Sequence, residues 1–352
     1  MYNAVKQMDR KDSHLSLCLQ GGVEYSTQNA NGFGLLRFDH LALPEINKSE
    51  VDLTTTIFGK KLLAPFFIGA MTGGTDRAGL INRRLAQAAE TTRIGFALGS
   101  QRKMIEDPSV ASTYAVRESA PHIPLLIGNL GAVQLNCGVT SRQIQNLIKI
   151  TSCDAFNFHL NPLQEAIQPE GNTDFSGLIE KLREIIPQMG IPVLLKEVGS
   201  GFSLSMTSKI KDLPIAGIET AGLGGTSWSK IESLRTESPI QKSIGELFAR
   251  WGIPTAESVR VCRIAFPHLI IIASGGIRNG IEAAKALALG ADAVGIALPL
   301  LKAAEKSVEN AVELIQQLKE ELRTVMFLTG SKNINELKQQ KLTSTLDFTS
   351  LE

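Results

Sequence analysis

One short segment of the chain concentrates side chains that could bind a cation together with a phosphorylated molecule. A histidine, two amides and a carboxylate fall between residues 159 and 165, at His159, Asn161, Gln164 and Glu165. This set is a poor cage for zinc or calcium. It suits Mg²⁺, which keeps most of its waters and binds through one or two carboxylates plus phosphate oxygens. We therefore predict Glu165 as a metal ligand, although a glutamate taken alone is usually an ordinary surface acid.

A lysine at the end of an apolar run is the second candidate for chemistry. Lys196 directly follows three apolar residues, 193–195. An inward-facing lysine is costly there unless it faces an anion or an electron-poor ring. It could form a Schiff base with a carbonyl compound or stabilise a negatively charged cofactor ring. The alternative is a lysine whose amine reaches out to solvent.

Glycine-rich turns in the second half of the chain indicate a phosphate site. One turn covers residues 224–226 and another 274–276, and Arg278 lies two residues further on. Glycines that lead into a helix let backbone N–H groups surround a phosphate, with assistance from the helix dipole. Arg278 could add a charged fork. The alternative is that these glycines only make tight turns.

Basic residues near the amino terminus point to a second anion. Arg10, Lys11 and His14 lie close together in sequence, and Arg102 follows a predicted strand. Together they could clamp a phosphoryl group that carries more charge than a cofactor phosphate. The alternative for the first three is a solvated terminus.

Eight apolar runs would position these residues. The runs alternate with helical patterns, which is typical of a parallel sheet. They cover residues 64–70, 95–99, 124–129, 155–160, 192–198, 216–220, 269–274 and 293–298. No early GxGxxG motif supports a dinucleotide-binding sheet. We predict an α/β fold, a (β/α)8 TIM barrel, in which the carboxyl ends of the strands gather the candidate residues on one face.

The remaining segments suggest a division of the chain. We expect an N-terminal extension over residues 1–60 that contributes to the substrate site, a barrel over 61–330 that binds the cofactor, and a C-terminal tail over 331–352. The tail is predicted to be frayed helix and coil. Residues 225–254 form a polar insertion after the sixth strand, which we expect to be a lid or a disordered segment.

Composition excludes several classes of function. The chain has 352 residues, with 36 Lys and Arg against 35 Asp and Glu, so a polyanion or an anionic membrane is not an expected partner. Aromatic residues make up only 5%, which disfavours a stacking platform for single strands. The four cysteines lie far apart, with no disulfide or zinc pattern. The longest apolar stretch, 62–71, is well short of the roughly 20 residues that span a bilayer. With no secretory signal visible, a cytoplasmic protein is expected.

Six motifs resemble those of the type 2 isopentenyl-diphosphate isomerases, which are FMN-dependent (β/α)8 enzymes of isoprenoid synthesis. In chain order the motifs are RKDSH at 10–14, MTGG at 71–74, GSQR at 99–102, HLNPLQE at 159–165, GGTSW at 224–228 and SGGIRNG at 274–280. The first and fourth are specific, whereas a GGIR turn alone would fit any FMN-binding barrel. One departure is Ala221, where the family more commonly has a serine beside the flavin.

The resemblance implies several sets of site residues. Substrate would contact Arg10, Lys11, His14, Ser100, Gln101, Arg102, His159, Asn161, Gln164 and Trp228, with Glu232 lining the same region. FMN would rest on Met71, Thr72, Gly73, Ser100, Asn129 and Lys196. Its phosphate would lie near Thr226, Gly276, Ile277, Arg278, Ala297 and Leu298. Glu165 would bind Mg²⁺, and Gln164 and Lys196 would be the catalytic residues.

The implied reaction interconverts isopentenyl and dimethylallyl diphosphate by a 1,3-proton shift with no net redox change. Reduced FMN would deliver and remove the proton while Gln164 positions it. Lys196 would stabilise the anionic reduced flavin, and Mg²⁺ would neutralise the diphosphate. NADPH would serve only to reduce the flavin. Family members usually form tetramers or octamers, so a homo-oligomer is expected.

Three other functions are weaker matches to the residues. An FMN-dependent 2-hydroxy-acid oxidase or dehydrogenase needs a histidine with paired arginines late in the barrel, and Arg278 has no such histidine beside it. An inosinate-type dehydrogenase needs a cysteine just after the glycine loop of strand six, and Cys262 is too far along the chain. The third alternative is a non-catalytic scaffold that binds a flavin.

Overall fold

Eight parallel strands close into a barrel. In the computed structural model, which describes residues 10–25 and 29–345, strands β1 to β8 are Phe66–Ile68, Gly95–Ala97, Leu126–Gly131, Ala155–Leu160, Val193–Glu197, Gly217–Glu219, Ile270–Ser274 and Ala293–Ile296. Each strand pairs in parallel with the next, and β8 closes onto β1 with Gly295 beside Phe67. All eight fall within or overlap the predicted apolar runs, so the predicted (β/α)8 barrel is confirmed.

Helices surround the barrel. In chain order the α-helices of the described residues, α1 to α14, are Arg10–Gln20, Asp76–Thr92, Arg102–Glu106, Ser141–Thr151, Pro162–Ile167, Leu178–Ile185, Leu204–Ile210, Trp228–Arg235, Pro239–Leu247, Thr255–Ala265, Gly280–Ala288, Leu298–Lys306, Val308–Leu328 and Ile334–Lys338. The main core lies between these helices and the outside of the barrel, and includes the fully buried Leu85, Phe156 and Leu287. Apolar burial of this kind is the dominant favourable term in folding. No helix of the described residues is long and apolar enough to cross a membrane.

A short hairpin closes the amino-terminal end of the barrel. Its strands Thr55–Ile57 and Lys60–Leu62 pair antiparallel. The side chains of Ile57 and Leu62 are fully buried and belong to the same apolar cluster as Phe67 on β1. Access to the barrel interior is therefore from the carboxyl face, where the candidate residues lie.

The chain after residue 331 is more ordered than predicted. Leu342–Ser344 forms a strand that pairs antiparallel with Leu36–Phe38, and Asp52 forms a β-bridge with Asn333. The prediction of frayed helix and coil was wrong for Leu342–Ser344, because backbone pairing with the N-terminal extension orders this segment as a strand. The first nine residues of the predicted extension, residues 26–28 and residues 346–352 of the predicted tail lie outside the described residues.

The insertion after strand β6 is helical. It contains α8 and α9, and the hydroxyls of Ser227 and Ser238 cap their first turns by accepting hydrogen bonds from backbone N–H groups. Pro239 occupies the first position of α9, where its missing N–H costs nothing. The prediction of a disordered segment was therefore wrong, and these capping residues were visible signals of helix starts.

Candidate functional site

A cavity at the carboxyl face of the barrel brings most of the predicted residues together. It lies among the ends of the barrel strands, with α1 and the start of α8 at its edge. Of the predicted residues, its walls contain Arg10, Lys11, His14, Met71, Thr72, Ser100, Arg102, Asn129, His159, Asn161, Gln164, Glu165, Lys196, Thr226, Trp228, Gly276, Arg278, Ala297 and Leu298. The fold thus places the metal, substrate and cofactor candidates in one connected space.

Besides Glu232, which is described below, three predicted residues lie behind the cavity wall. Gln101 is fully buried, and its Oε1 accepts a hydrogen bond from the backbone N–H of Asn129 at 2.8 Å. A Cβ on Gly73 would lie 2.1 Å from the ring of Tyr114, and Ile277 is 1% exposed. The structure places all three where they support the cavity wall, and direct contact with a ligand stays a prediction for them.

A buried glutamate organises the part of the cavity beneath α1. Glu232 is fully buried, and its Oε1 lies 2.9 Å from Nε2 of His14 and accepts a hydrogen bond from Nε2 of Gln164 at 3.0 Å. Arg235 pairs with its other oxygen. Burial raises the pKa of Glu232, but the hydrogen bond and charge of His14 and the charge of Arg235 outweigh it, so the pKa lies below its usual value. The carboxylate stays ionised and fixes the amide of Gln164.

Glu165 and Asn161 form the predicted metal region. Oε1 of Glu165 accepts a hydrogen bond from Nδ2 of Asn161 at 2.9 Å, and Oε2 accepts one from the backbone N–H of Asn172 at 2.7 Å. Oδ1 of Asn161 is buried without a hydrogen-bond partner. Among the described residues, no three His, Cys, Asp or Glu side chains gather as a metal cage. This donor set fits a Mg²⁺ ion that shares its coordination with substrate phosphates and water.

The protonation of His159 follows from its neighbours. Burial, followed by the charges of Lys196 and Lys11, lowers the pKa of His159 to about 3, so the imidazole is neutral. Its Nδ1 lies 2.9 Å from Oδ1 of Asn129, whose Nδ2 donates to the carbonyl of Leu98. Because Oδ1 can only accept, Nδ1 of His159 carries the proton. Its Nε2 is therefore the acceptor available to a bound group.

Three cations line the wall formed by α1 and the end of β2. Nζ of Lys11 lies 3.4 Å from the carbonyl oxygen of Ser100, and Nε of Arg102 pairs with Glu106 at 2.6 Å. Arg10 lines the same cavity. The three cations line the same cavity as Glu165, a setting that suits a phosphate group.

The glycine turns after β6 and β7 pack too closely to admit side chains. A Cβ on Gly225 would lie 2.7 Å from the backbone N of Gly276. A Cβ on Gly276, whose φ is +74°, would lie 2.3 Å from the carbonyl carbon of Gly224. Arg278 lies beside these turns and pairs with Glu24 at 2.5 Å, a contact between residues 254 positions apart that the sequence did not reveal.

A helix start lines the same cavity as these turns. Ala297 directly precedes α12, which begins at Leu298, and both residues line the cavity. Glycine turns, a helix N-terminus and a guanidinium that line one cavity together fit the phosphate of a flavin mononucleotide. Lys196, at the end of β5, is 7% exposed and lies in the same cavity, where it suits the flavin ring. The residues present therefore fit FMN.

The fold and the site define this chain as a flavin-dependent (β/α)8-barrel protein. The family described as FMN-dependent dehydrogenase matches residues 252–344. Among solved structures, a flavocytochrome b2 variant superposes with a TM-score of 0.68 at 17% identity, over 94% of this chain and 83% of that one. A mandelate oxidase variant gives 0.63 at 16%, over 93% and 94%. These structures share the fold.

More similar sequences identify the family. The chain is 43% identical to an isopentenyl-diphosphate delta-isomerase of Nostoc sp., over 96% of this chain and 95% of that protein. A Synechococcus sp. protein of the same name is 47% identical over 92% of each chain, and one from Rickettsia bellii is 44% identical over 95% and 96%. The chain belongs to the isopentenyl-diphosphate delta-isomerase family, and the resemblance drawn from its motifs is confirmed.

Proposed function

We propose that this chain interconverts isopentenyl and dimethylallyl diphosphate with the help of FMN. The observation that carries the proposal is the presence of two anion sites in one cavity. The glycine turns with Arg278 suit the phosphate of FMN, and the wall with Arg10, Lys11 and Arg102 suits a diphosphate. The names of the relatives, at 43 to 47% identity, support the same conclusion.

FMN, when bound and reduced, would supply the proton donor and acceptor for an unactivated alkene, which few side chains here could protonate. The protein's own part is to bind and orient. The basic wall would hold the diphosphate, and Glu165 with the amide oxygen of Asn161 would hold Mg²⁺ against it. Gln164, held by Glu232, would position the reacting end of the substrate. Lys196 would place a positive charge beside the flavin ring.

NADPH would be needed to reduce the flavin and would not be consumed with each turnover. We also propose that the chain assembles into homo-oligomers, as the resemblance implies. Large apolar side chains on and after α9 support this assembly. Ile240, Leu247 and Trp251 are exposed to 72, 77 and 63%. Subunit interfaces commonly cover such side chains.

The alternative of a 2-hydroxy-acid oxidase receives no support from the site. The histidines that line the cavity are His14 on α1 and His159 on β4, and neither stands beside Arg278 at the end of β7. The shared barrel with mandelate oxidase therefore does not carry over its chemistry.

A direct assay tests the function. The purified protein is incubated with isopentenyl diphosphate, FMN, NADPH and Mg²⁺, and dimethylallyl diphosphate is measured by NMR. Product should form only under reducing conditions and should accumulate to many equivalents per enzyme with catalytic amounts of NADPH. Parallel reactions omit FMN or NADPH, or receive a chelator. A fully flavin-loaded, reduced protein that makes no product would contradict the proposal.

Gly276→Ala should weaken FMN binding by at least about tenfold. The new methyl group must displace the backbone of Gly224, which forms the facing turn, and a loss near 1.4 kcal/mol already gives a tenfold change. The affinity can be measured from the quenching of FMN fluorescence. Gly190→Ala is a matched control, because Gly190 has a φ of +71° with nothing within 4 Å of its Cβ position. It carries the same backbone strain and should bind FMN normally. Equal affinities for the two variants would argue against the phosphate site.

A further inference from the structure

Lys196 does not stand alone at the end of its strand. Its Nζ donates a hydrogen bond to Oε1 of Glu219 at 2.6 Å, and the two residues are only 7 and 3% exposed. Ser274 Oγ donates to the same oxygen at 2.9 Å, and Nδ2 of Asn157 donates to Oε2 at 3.2 Å. One carboxylate thus ties together strands β4, β5, β6 and β7 at the floor of the cavity.

We propose that Glu219 is a positioning residue that fixes Lys196 in the flavin site and sets how much positive charge a bound flavin would encounter. The inference rests on the proposed binding of FMN in this cavity. Both Lys196 and Glu219 line the cavity, so the pair faces whatever binds there.

Geometry supports the positioning part of the inference. A lysine ammonium has three N–H donors on a flexible stem, and its direction is set by the partners it finds. One donor is committed to Glu219, which is itself held by Ser274 and Asn157. The carboxylate is therefore a fixed anchor, and the other two donors of Lys196 are directed by it.

The charges of Lys196 and Glu219 support the second part of the inference, that Glu219 sets the positive charge that a bound flavin encounters. An ammonium and a carboxylate 2.6 Å apart nearly cancel at a distance, so a bound ring encounters a weakened positive field rather than a full unit charge. A buried site screens little, and removal of either charge would be felt strongly nearby. If the carboxylate becomes a neutral amide, the lysine's charge is less compensated. The anionic reduced form of a flavin should then be favoured.

The test is the midpoint potential of FMN bound to purified wild-type protein and variants, measured by spectroelectrochemistry. Glu219→Gln should raise the midpoint potential by at least about 30 mV, which corresponds to a tenfold change in the equilibrium constant of the two-electron reduction. The pH at which the reduced flavin becomes anionic should fall in parallel. Ser274→Ala removes one hydrogen bond from the same oxygen but leaves both charges in place, so its potential should shift by much less than that of Glu219→Gln.

A merely structural Glu219 would leave the potential and the ionisation of the reduced flavin unchanged in the flavin-loaded variant, and that result would overturn the inference. If Glu219→Gln does not fold, the inference is tested by comparing the midpoint potential of Lys196→Met with that of the double variant Lys196→Met/Glu219→Gln. The double variant must have the higher potential, and equal potentials would overturn the inference. A wild-type protein that binds FMN but does not isomerise would contradict the proposed function alone and leave this comparison intact.

Discussion

Glu165→Gln is expected to lower isomerase turnover by roughly 100-fold or more while FMN stays bound, since even residues that support a metal ligand cost 10- to 100-fold when changed. Both oxygens of this carboxylate accept hydrogen bonds, from Nδ2 of Asn161 and from the backbone N–H of Asn172. An amide placed there must turn its NH2 group toward one of these donors. The substitution also removes the negative charge with which the protein would bind a Mg²⁺ ion.

The variant is tested by titrating turnover with Mg²⁺ at saturating FMN and substrate. The wild type should lose activity on chelation and recover it when Mg²⁺ is added back. The variant should need far more Mg²⁺ and still reach a lower maximum. Glu180→Gln is a control, because the side chain of Glu180 is 69% exposed on α6 and pairs with Arg183. Wild-type turnover with unchanged Mg²⁺ dependence in Glu165→Gln would exclude Glu165 as the metal ligand.

Several site residues could be predicted from the sequence because they lie at the end of a barrel strand or in the segment that directly follows it. Glu165 and Lys196 were predicted this way, and both line the cavity. The acidic partners of Lys196 and Arg278 were missed. Lys196 and Glu219 are direct neighbours in the register of β5 and β6, and Glu24 reaches Arg278 from a loop. Such pairs depend on strand register and chain path, which spacing along the sequence does not encode.

The strands of the barrel could be predicted from the sequence, whereas the strand near the C-terminus could not. The barrel strands are buried on both faces and therefore read as apolar runs. Leu342–Ser344 has three residues, two of them polar, and exists because Leu36–Phe38 offers it backbone partners. An edge pairing of this kind leaves no hydrophobic pattern.

The end of the barrel away from the cavity contains a cluster centred on Arg117 and Asp154. The guanidinium of Arg117 donates to the backbone carbonyls of residues 121, 123 and 152 and pairs with Oδ2 of Asp154 at 2.5 Å. Oδ2 also accepts from the backbone N–H of Leu126 on β3, and Oδ1 pairs with Lys60 at 2.9 Å. Asp154 immediately precedes β4, so the cluster ties two adjacent strands together.

A second cluster with the same arrangement lies four strands further on, at β7 and β8. Arg263 donates to the carbonyls of residues 266, 267, 269 and 290 and pairs with Oδ2 of Asp292 at 2.6 Å. Oδ2 accepts from the backbone N–H of Ile271 on β7, and Oδ1 pairs with Lys338 at 2.5 Å. Both arginines begin an R-x-x-x-P-H segment, at 117–122 and 263–268. Two equivalent clusters therefore hold opposite sides of the barrel.

Asp154→Asn and Asp292→Asn should each lower the free energy of unfolding by about 3 kcal/mol, because each leaves a largely buried guanidinium without its charged partner. The aspartates are only 16 and 17% exposed, so water replaces the lost contact poorly. Denaturant titrations at constant FMN would measure both losses. Because the clusters share no residue and lie across the barrel from each other, the double variant should lose the sum of the two. A large loss at one aspartate and none at the other would show that the matching geometry does not confer matching stability.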